Sequence, residues 1–117
     1  MIKVKILIVD DEEDYCMIMK NYFEDKNYEV FLAHNLKDGL QLIKEKSPDV
    51  LFLDNNLPDG EGWQHTEEIV RDYPSIKLNL ISAYKQKTKE FDVYKNVRVW
   101  EKPISMYSLE EVFAATA

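Results

Sequence analysis

Cysteine is almost absent: the 117 residues contain one, Cys16. A disulfide framework is excluded, and a cysteine-based metal site nearly so. Glycine is scarce too, with three in the chain. No GxGxxG and no GxxxxGK motif is formed, so no glycine-rich loop cradles a nucleotide's phosphates. Long apolar runs are missing. The longest near the N-terminus, Ile6 to Val9, is too short for a membrane span or a signal-peptide core. The cytoplasm is therefore the expected location, and no membrane partner is expected. Basic charge is in deficit, with 15 Lys and Arg against 22 Asp and Glu and a formal net charge of −7. Binding phosphate backbones needs clustered Lys and Arg, so this domain is not expected to bind nucleic acid directly. What remains is the composition of a globular protein, 45% hydrophobic and 32% charged. The length suits a single domain over residues 1–117. A domain of this size buries roughly two thirds of its unfolded surface and needs no covalent staples.

Two apolar periods alternate along the chain. Val4, Ile6, Leu7, Ile8 and Val9 form a β-branched run typical of a buried strand. Tyr15, Ile18, Met19, Tyr22 and Phe23 then recur at helical spacing. Residues 28–33 predict a second strand. Asn35 can cap a helix carrying Leu36, Leu40 and Ile43, which Ser47-Pro48 stops. Val50 to Leu53 is a third strand. Trp63, Thr66, Ile69, Val70 and Tyr73 mark a helix ended by Pro74, and Ile76 to Ile81 a fourth strand. Residues 85–95 are polar and weakly periodic, with Phe91 and Tyr94 as anchors; a short helix is expected there. Val97 to Trp100 is a fifth strand, and Ser105 caps a last helix bearing Met106, Leu109, Val112 and Phe113.

Five β–α units with short connections imply a parallel sheet with helices on both faces. The first and third strands are apolar almost throughout, as central strands must be. The second and fifth admit Glu29, Arg98 and Glu101, as edges tolerate. The fold class is therefore α/β: a five-stranded, doubly wound parallel sheet of order 2-1-3-4-5, flavodoxin-like, (βα)5, with its switch point between strands one and three. Gly39 falls inside a helix, and close helix–sheet packing is its expected reason.

Ligands of such sheets bind beyond the carboxyl ends of the strands. The first strand ends in Asp10-Asp11, the third in Asp54, the fourth in Ser82-Ala83 and the fifth in Lys102-Pro103. The second ends blandly in Ala33-His34. Taken singly these residues are unremarkable, since acids favour helix starts, Asp54-Asn55-Asn56 resembles a turn, and a serine often caps. Their convergence is the signal. Three carboxylates in one place repel one another. A hard divalent cation that keeps several waters, Mg2+, relieves the repulsion. With Mg2+ and Lys102 the formal charge returns to zero, leaving room for an incoming anion; a phosphoryl group is the natural candidate.

The segments ILIVDDEE (6–13), LFLDNNLPDGEGW (51–63), LISAY (80–84) and WEKPI (100–104) together resemble the receiver domain of two-component response regulators. The resemblance covers the whole chain. It implies a phosphoprotein of a phosphorelay that takes a phosphoryl group from a sensor histidine kinase or phosphotransfer protein and catalyses no reaction except on itself. Asp54 would be the phosphoacceptor. Asp11 would bind Mg2+ directly, Asp10 largely through water, and the backbone carbonyl of Asn56 would complete the metal's protein ligands. Ser82 would bond the phosphoryl group and Lys102 would pair with it, with the Lys102–Pro103 bond cis. An output domain or effector would be met through residues 82–117. Asn56 and Tyr84 stand where the family tunes hydrolysis of the acyl phosphate; neither is acidic, and Tyr84 is bulky, so slow self-dephosphorylation is expected.

One departure concerns the switch. The family usually places Tyr or Phe three residues before the lysine, and here Val99 stands there. Trp100 is adjacent but belongs to the other face by strand alternation. The polar segment 85–96 is then the expected responder. Two other functions compete with the switch. A haloacid-dehalogenase-like phosphatase also uses a strand-end Asp, Mg2+ and Lys, but needs an Asp-x-Asp that neither Asp10-Asp11-Glu12 nor Asp54-Asn55-Asn56 supplies. A phosphorylation-independent pseudo-receiver adaptor predicts a missing Asp or Lys, and none is missing.

Overall fold

The computed structural model of the chain describes residues 3–83 and 89–113. Five parallel strands form the sheet: β1 Lys5–Val9, β2 Glu29–Ala33, β3 Val50–Asp54, β4 Lys77–Ser82 and β5 Val97–Glu101. Their order is β2-β1-β3-β4-β5, as the apolar pattern predicts. The chain reverses direction across the sheet between β1 and β3. A two-stranded ribbon pairing Asn56–Leu57 with Gly60–Glu61 follows β3. Four α-helices are described: α1 Glu13–Asp25, α2 Leu36–Lys46, α3 Thr66–Asp72 and α4 Met106–Phe113.

Strand alternation divides the core in two. Leu7, Val9, Leu51, Leu53, Leu78 and Leu80 face α2 and α3, where they meet Leu36, Ile43 and Ile69. Ile6, Ile8, Val50, Phe52 and Ile81 face α1 and α4, where they meet Cys16, Met19, Phe23, Leu109 and Phe113. Val99 lies on the first face and Trp100 on the second. Helix boundaries follow local chemistry. The Asn35 side chain accepts from the Asp38 N–H at 2.8 Å, and the Ser105 hydroxyl accepts from Ser108 N–H at 3.0 Å. Ser47 ends α2 in a left-handed conformation, φ 47°. Gly39 is there for space: a Cβ would lie 2.8 and 2.9 Å from the two Val9 methyl groups.

Three expectations are corrected. Ile18 does not belong to the buried stripe of α1. It is 55% exposed, because Cys16, Met19 and Phe23 define the inward face and Ile18 lies two residues round the helix from Cys16. The third helix begins with a 3-10 segment, Gly62–His65, and is α-helical only from Thr66. The expected helix over 85–95 is, among the described residues, a three-residue 3-10 turn, Lys89–Phe91, with Phe91 buried, followed by non-helical turn over 92–95; residues 85–88 and Tyr84 lie outside the described residues.

Candidate functional site

The sheet delivers its strand ends to one edge. Asp10 follows β1, and its N–H donates to the Ala33 carbonyl at 3.0 Å. Asp54 closes β3 and Ser82 closes β4. Lys102 follows β5, with its N–H donating to the Ser82 carbonyl at 2.8 Å. Asp10, Asp54 and Ser82 are buried; Asp11 is exposed. The structure thus brings together the Asp10, Asp11 and Asp54 carboxylates and the Lys102 ammonium, and sets Ser82 at the adjoining strand end. One carboxylate oxygen from each of Asp10, Asp11 and Asp54 lies within 4.8 Å of the others.

Lys102 is the local counter-charge. Its ammonium nitrogen sits 2.6 Å from Asp10 Oδ2, 3.0 Å from Glu12 Oε1 and 3.5 Å from Asp54 Oδ2. It also lies over the Tyr15 ring, 5.1 Å from the centroid. The Lys102–Pro103 peptide is cis. Burial alone would lower the Lys102 pKa, but the ion pairs with Asp10 and Glu12, with the charge of Asp54, hold it above the ordinary lysine value.

The carboxylates respond in the opposite sense. Burial, then the neighbouring charge of Asp10, pushes the Asp54 pKa up to about 6, although Lys102 and the Asn56 N–H both favour the ionised form. Burial likewise raises Asp10 despite Lys102 and a 2.9 Å bond from the Glu12 N–H to Oδ1. One positive charge therefore does not compensate the cluster. Asp10 Oδ2 is buried and receives no well-formed hydrogen bond; it has only the charge of Lys102 beside it. An oxygen-rich cluster with an under-satisfied buried oxygen fits a hard divalent cation.

The loop after Asp54 is pinned against the strand ends. Asn55 N–H donates to the Ile81 carbonyl at 3.1 Å, and Gly62 N–H to the Asn55 carbonyl at 3.1 Å. Gly62 must be glycine, because a Cβ would come 2.2 Å from the Asp54 carbonyl oxygen. This approach seats Trp63. The indole N–H is shared between the carbonyls of Leu53, 3.3 Å, and Ile81, 3.2 Å, each one residue before a strand-end polar group. Its ring meets Phe91 edge to face, centroids 5.5 Å apart.

Sequence reasoning missed three neighbours. Glu12 and Tyr15 reach Lys102, which the spacing of the acidic run does not reveal. His34 is not bland: its Nδ1 lies 2.9 Å from the Asp10 carbonyl oxygen. A cavity of about 540 Å3 opens elsewhere, lined in part by Tyr28, Lys77, Asn79, Arg98 and Phe113, and shares no residue with the carboxylate cluster.

Comparison with known proteins points the same way. A family model for the response regulator receiver domain matches residues 6–113. A receiver domain from Methylobacillus flagellatus, described as CheY-like, is 25% identical, with 99% of this chain and 100% of that chain covered at a TM-score of 0.82. A CheY-like receiver domain protein from Methanospirillum hungatei JF-1 is 26% identical, with 98% and 94% covered at 0.83. The chemotaxis protein CheY4 of Vibrio cholerae, 18% identical with 99% and 100% covered at 0.83, shares the fold.

Proposed function

The chain belongs to the response regulator receiver domain family of two-component systems, and from that premise we propose that it is a phosphorylation-driven switch whose phosphoacceptor is Asp54. The observation that carries this is the carboxylate cluster of Asp10, Asp11 and Asp54, with Lys102 bridging it at the strand ends. The phosphodonor is a phosphohistidine of a sensor kinase or phosphotransfer protein. A carboxylate oxygen of Asp54 forms the new O–P bond as the P–N bond breaks, and the imidazole leaves with the bonding pair and takes up a proton. Asp10, Asp11, Asp54 and the Asn56 carbonyl would hold Mg2+, which when bound neutralises charge on the attacking carboxylate and the phosphoryl oxygens.

Each protein group has a task in this reading. Asp54 is fixed at a strand end, so attack needs no backbone search. Lys102, already 3.5 Å from Asp54, turns to the phosphoryl oxygens as a point charge on a flexible stem. Ser82 bonds the new acceptors. The acyl phosphate adds about one negative charge and three acceptors, and the response reaches the segment from Phe91 to Asn96 and the face of β5 and α4, where an effector or output domain docks. The whole chain acts as one phosphoacceptor unit, working in the cytoplasm on its own side chain alone. No helix among the described residues is long and apolar enough to cross a membrane.

The test is incubation with Mg2+ and a small phosphodonor, followed by intact mass. One added phosphoryl group, absent in Asp54→Asn, supports the switch. Steady turnover of phosphoesters would favour a phosphatase, and no modification would favour an adaptor.

A further inference from the structure

The backbone of the β1–α1 loop is clamped at Asp10. Its N–H is held by the Ala33 carbonyl. Its carbonyl oxygen receives two donors from different elements: the His34 ring at the end of β2, 2.9 Å, and the Cys16 thiol on the inner face of α1, 3.3 Å. A carbonyl oxygen can only accept, so the hydrogen sits on His34 Nδ1. The two donors are 3.9 Å apart and converge on one atom. The same residue's Oδ1 accepts the Glu12 N–H. Asp11, next in the chain, has no hydrogen bond or ion pair on its carboxylate among the described residues, so only its backbone position and its own rotamer place that carboxylate.

We infer that His34, assisted by Cys16, is a positioning residue for cation binding: by fixing the Asp10 carbonyl it orients the Asp10 and Asp11 carboxylates toward Asp54. The inference rests on the Mg2+ site proposed above. Removing an outer hydrogen bond that orients a metal ligand typically weakens metal affinity by about 10- to 100-fold. His34 touches neither the reacting atoms nor the carboxylates, so its effect runs through loop geometry alone. The geometry of the ring, not a change in its charge, does the work.

The experiment is a Mg2+ titration of the full chain at one fixed pH, followed by amide NMR shifts of residues 10–12 and 54–56. His34→Phe keeps a planar ring but has no donor, and should weaken Mg2+ by about tenfold or more. His34→Asn places an amide N–H close to the Nδ1 position and should restore most of the affinity. Metal-free melting temperatures accompany both, because a merely structural histidine would lower stability without the Asn rescue of affinity. Equal Mg2+ affinity in wild type and His34→Phe overturns the inference while leaving the metal site intact. Failure of the wild type to bind Mg2+ removes the site and the inference together. If His34→Phe does not fold, ring nitrogen NMR of the wild type still decides: the Nδ1–H tautomer is expected, and the Nε2–H tautomer overturns the clamp.

Discussion

Replacing Asp54 by Asn should make the metal-free protein more stable at neutral pH, while removing its capacity to be phosphorylated. The Asp54 carboxyl is moved from 3.8 to about 6, chiefly by burial and then by Asp10. The folded value lies above the unfolded one, so the native state binds the proton more tightly. That contribution is present in full below about pH 4 and is lost as pH rises through about 6, leaving a penalty of about 3 kcal/mol for the ionised native side chain. Asn has the same shape and no charge, and its carbonyl can still accept the Asn56 N–H. The substitution does give up the attraction of Lys102, 3.5 Å away. Lys102 keeps its closer partners, Asp10 at 2.6 Å and Glu12 at 3.0 Å, so that loss is the smaller term. The expected net gain is about 1–3 kcal/mol, a rise in melting temperature of about 4 °C per kcal/mol for a domain of this size. Urea unfolding of both proteins in a chelator, over a pH series, measures it. The gain should shrink as pH falls through about 6 and vanish below about 4, where Asp54 is increasingly protonated in both states. A variant no more stable than wild type at pH 7.5, or a gain independent of pH, would refute the assignment of Asp54 as an electrostatically strained group.

Other expectations follow from the same geometry. Mg2+ should relieve the same repulsion and stabilise the wild type by about 2.7 kcal/mol at a hundred times its dissociation constant; Asp11→Asn should remove most of this, and a melting temperature indifferent to Mg2+ would contradict it. Gly62→Ala should cost about 3 kcal/mol or more, because its Cβ meets backbone at the Asp54 carbonyl. Gly39→Ala should cost less, since overpacking against Val9 is offset by about 1 kcal/mol of helix propensity; denaturant midpoints rank the two. The acyl phosphate should hydrolyse slowly, because Asn56 is no general base; loss within seconds in Mg2+ would contradict this. Phosphorylation should change amide exchange across residues 89–104, and equal protection in both states would place the output on another surface.

The fold was legible because its signals were redundant. β1 and β3 are apolar almost throughout, since both faces of a central strand are covered, and the charged positions of β2 and β5 marked the edges. Strand ends were legible for the same reason: in a parallel sheet the register places Asp10, Asp54, Ser82 and Lys102 on one edge once the order is known. What stayed hidden was set by packing rather than pattern. Ile18 is as apolar as Met19, yet rotation about the helix puts one outside and the other inside. The 3-10 turn at Gly62–His65 reflects the approach of Gly62 to the Asp54 carbonyl, which no periodicity encodes. His34 was hidden because its partner is a backbone oxygen 24 residues away in sequence. A side chain's reach to another segment's carbonyl leaves no trace in spacing.

The absence of an aromatic at position 99 shifts the coupling question to Trp63. Val is stiff at χ1 and too short to alternate between buried and exposed poses. Val99 packs at the margin of the core on the α2 and α3 face, on the same face as Trp63 and Phe91. Trp63 lies on that face and connects two strand ends to Phe91. Its N–H is tied to the Leu53 and Ile81 carbonyls, and its ring carries Phe91, the buried anchor of the described part of the polar segment. A displacement of the β4 end as Ser82 turns would lengthen the bond to Ile81 while leaving the one to Leu53. The indole would then tilt about its β3 attachment, and Phe91 would have to follow or lose its edge contact, since a gap of 0.5–1 Å forfeits a quarter to a half of the dispersion attraction. With few other apolar side chains to hold it, the Phe91 segment is the cheapest part of this core to move. Under the proposed switch, the aromatic fixed to the strand ends would be the route by which Phe91 moves.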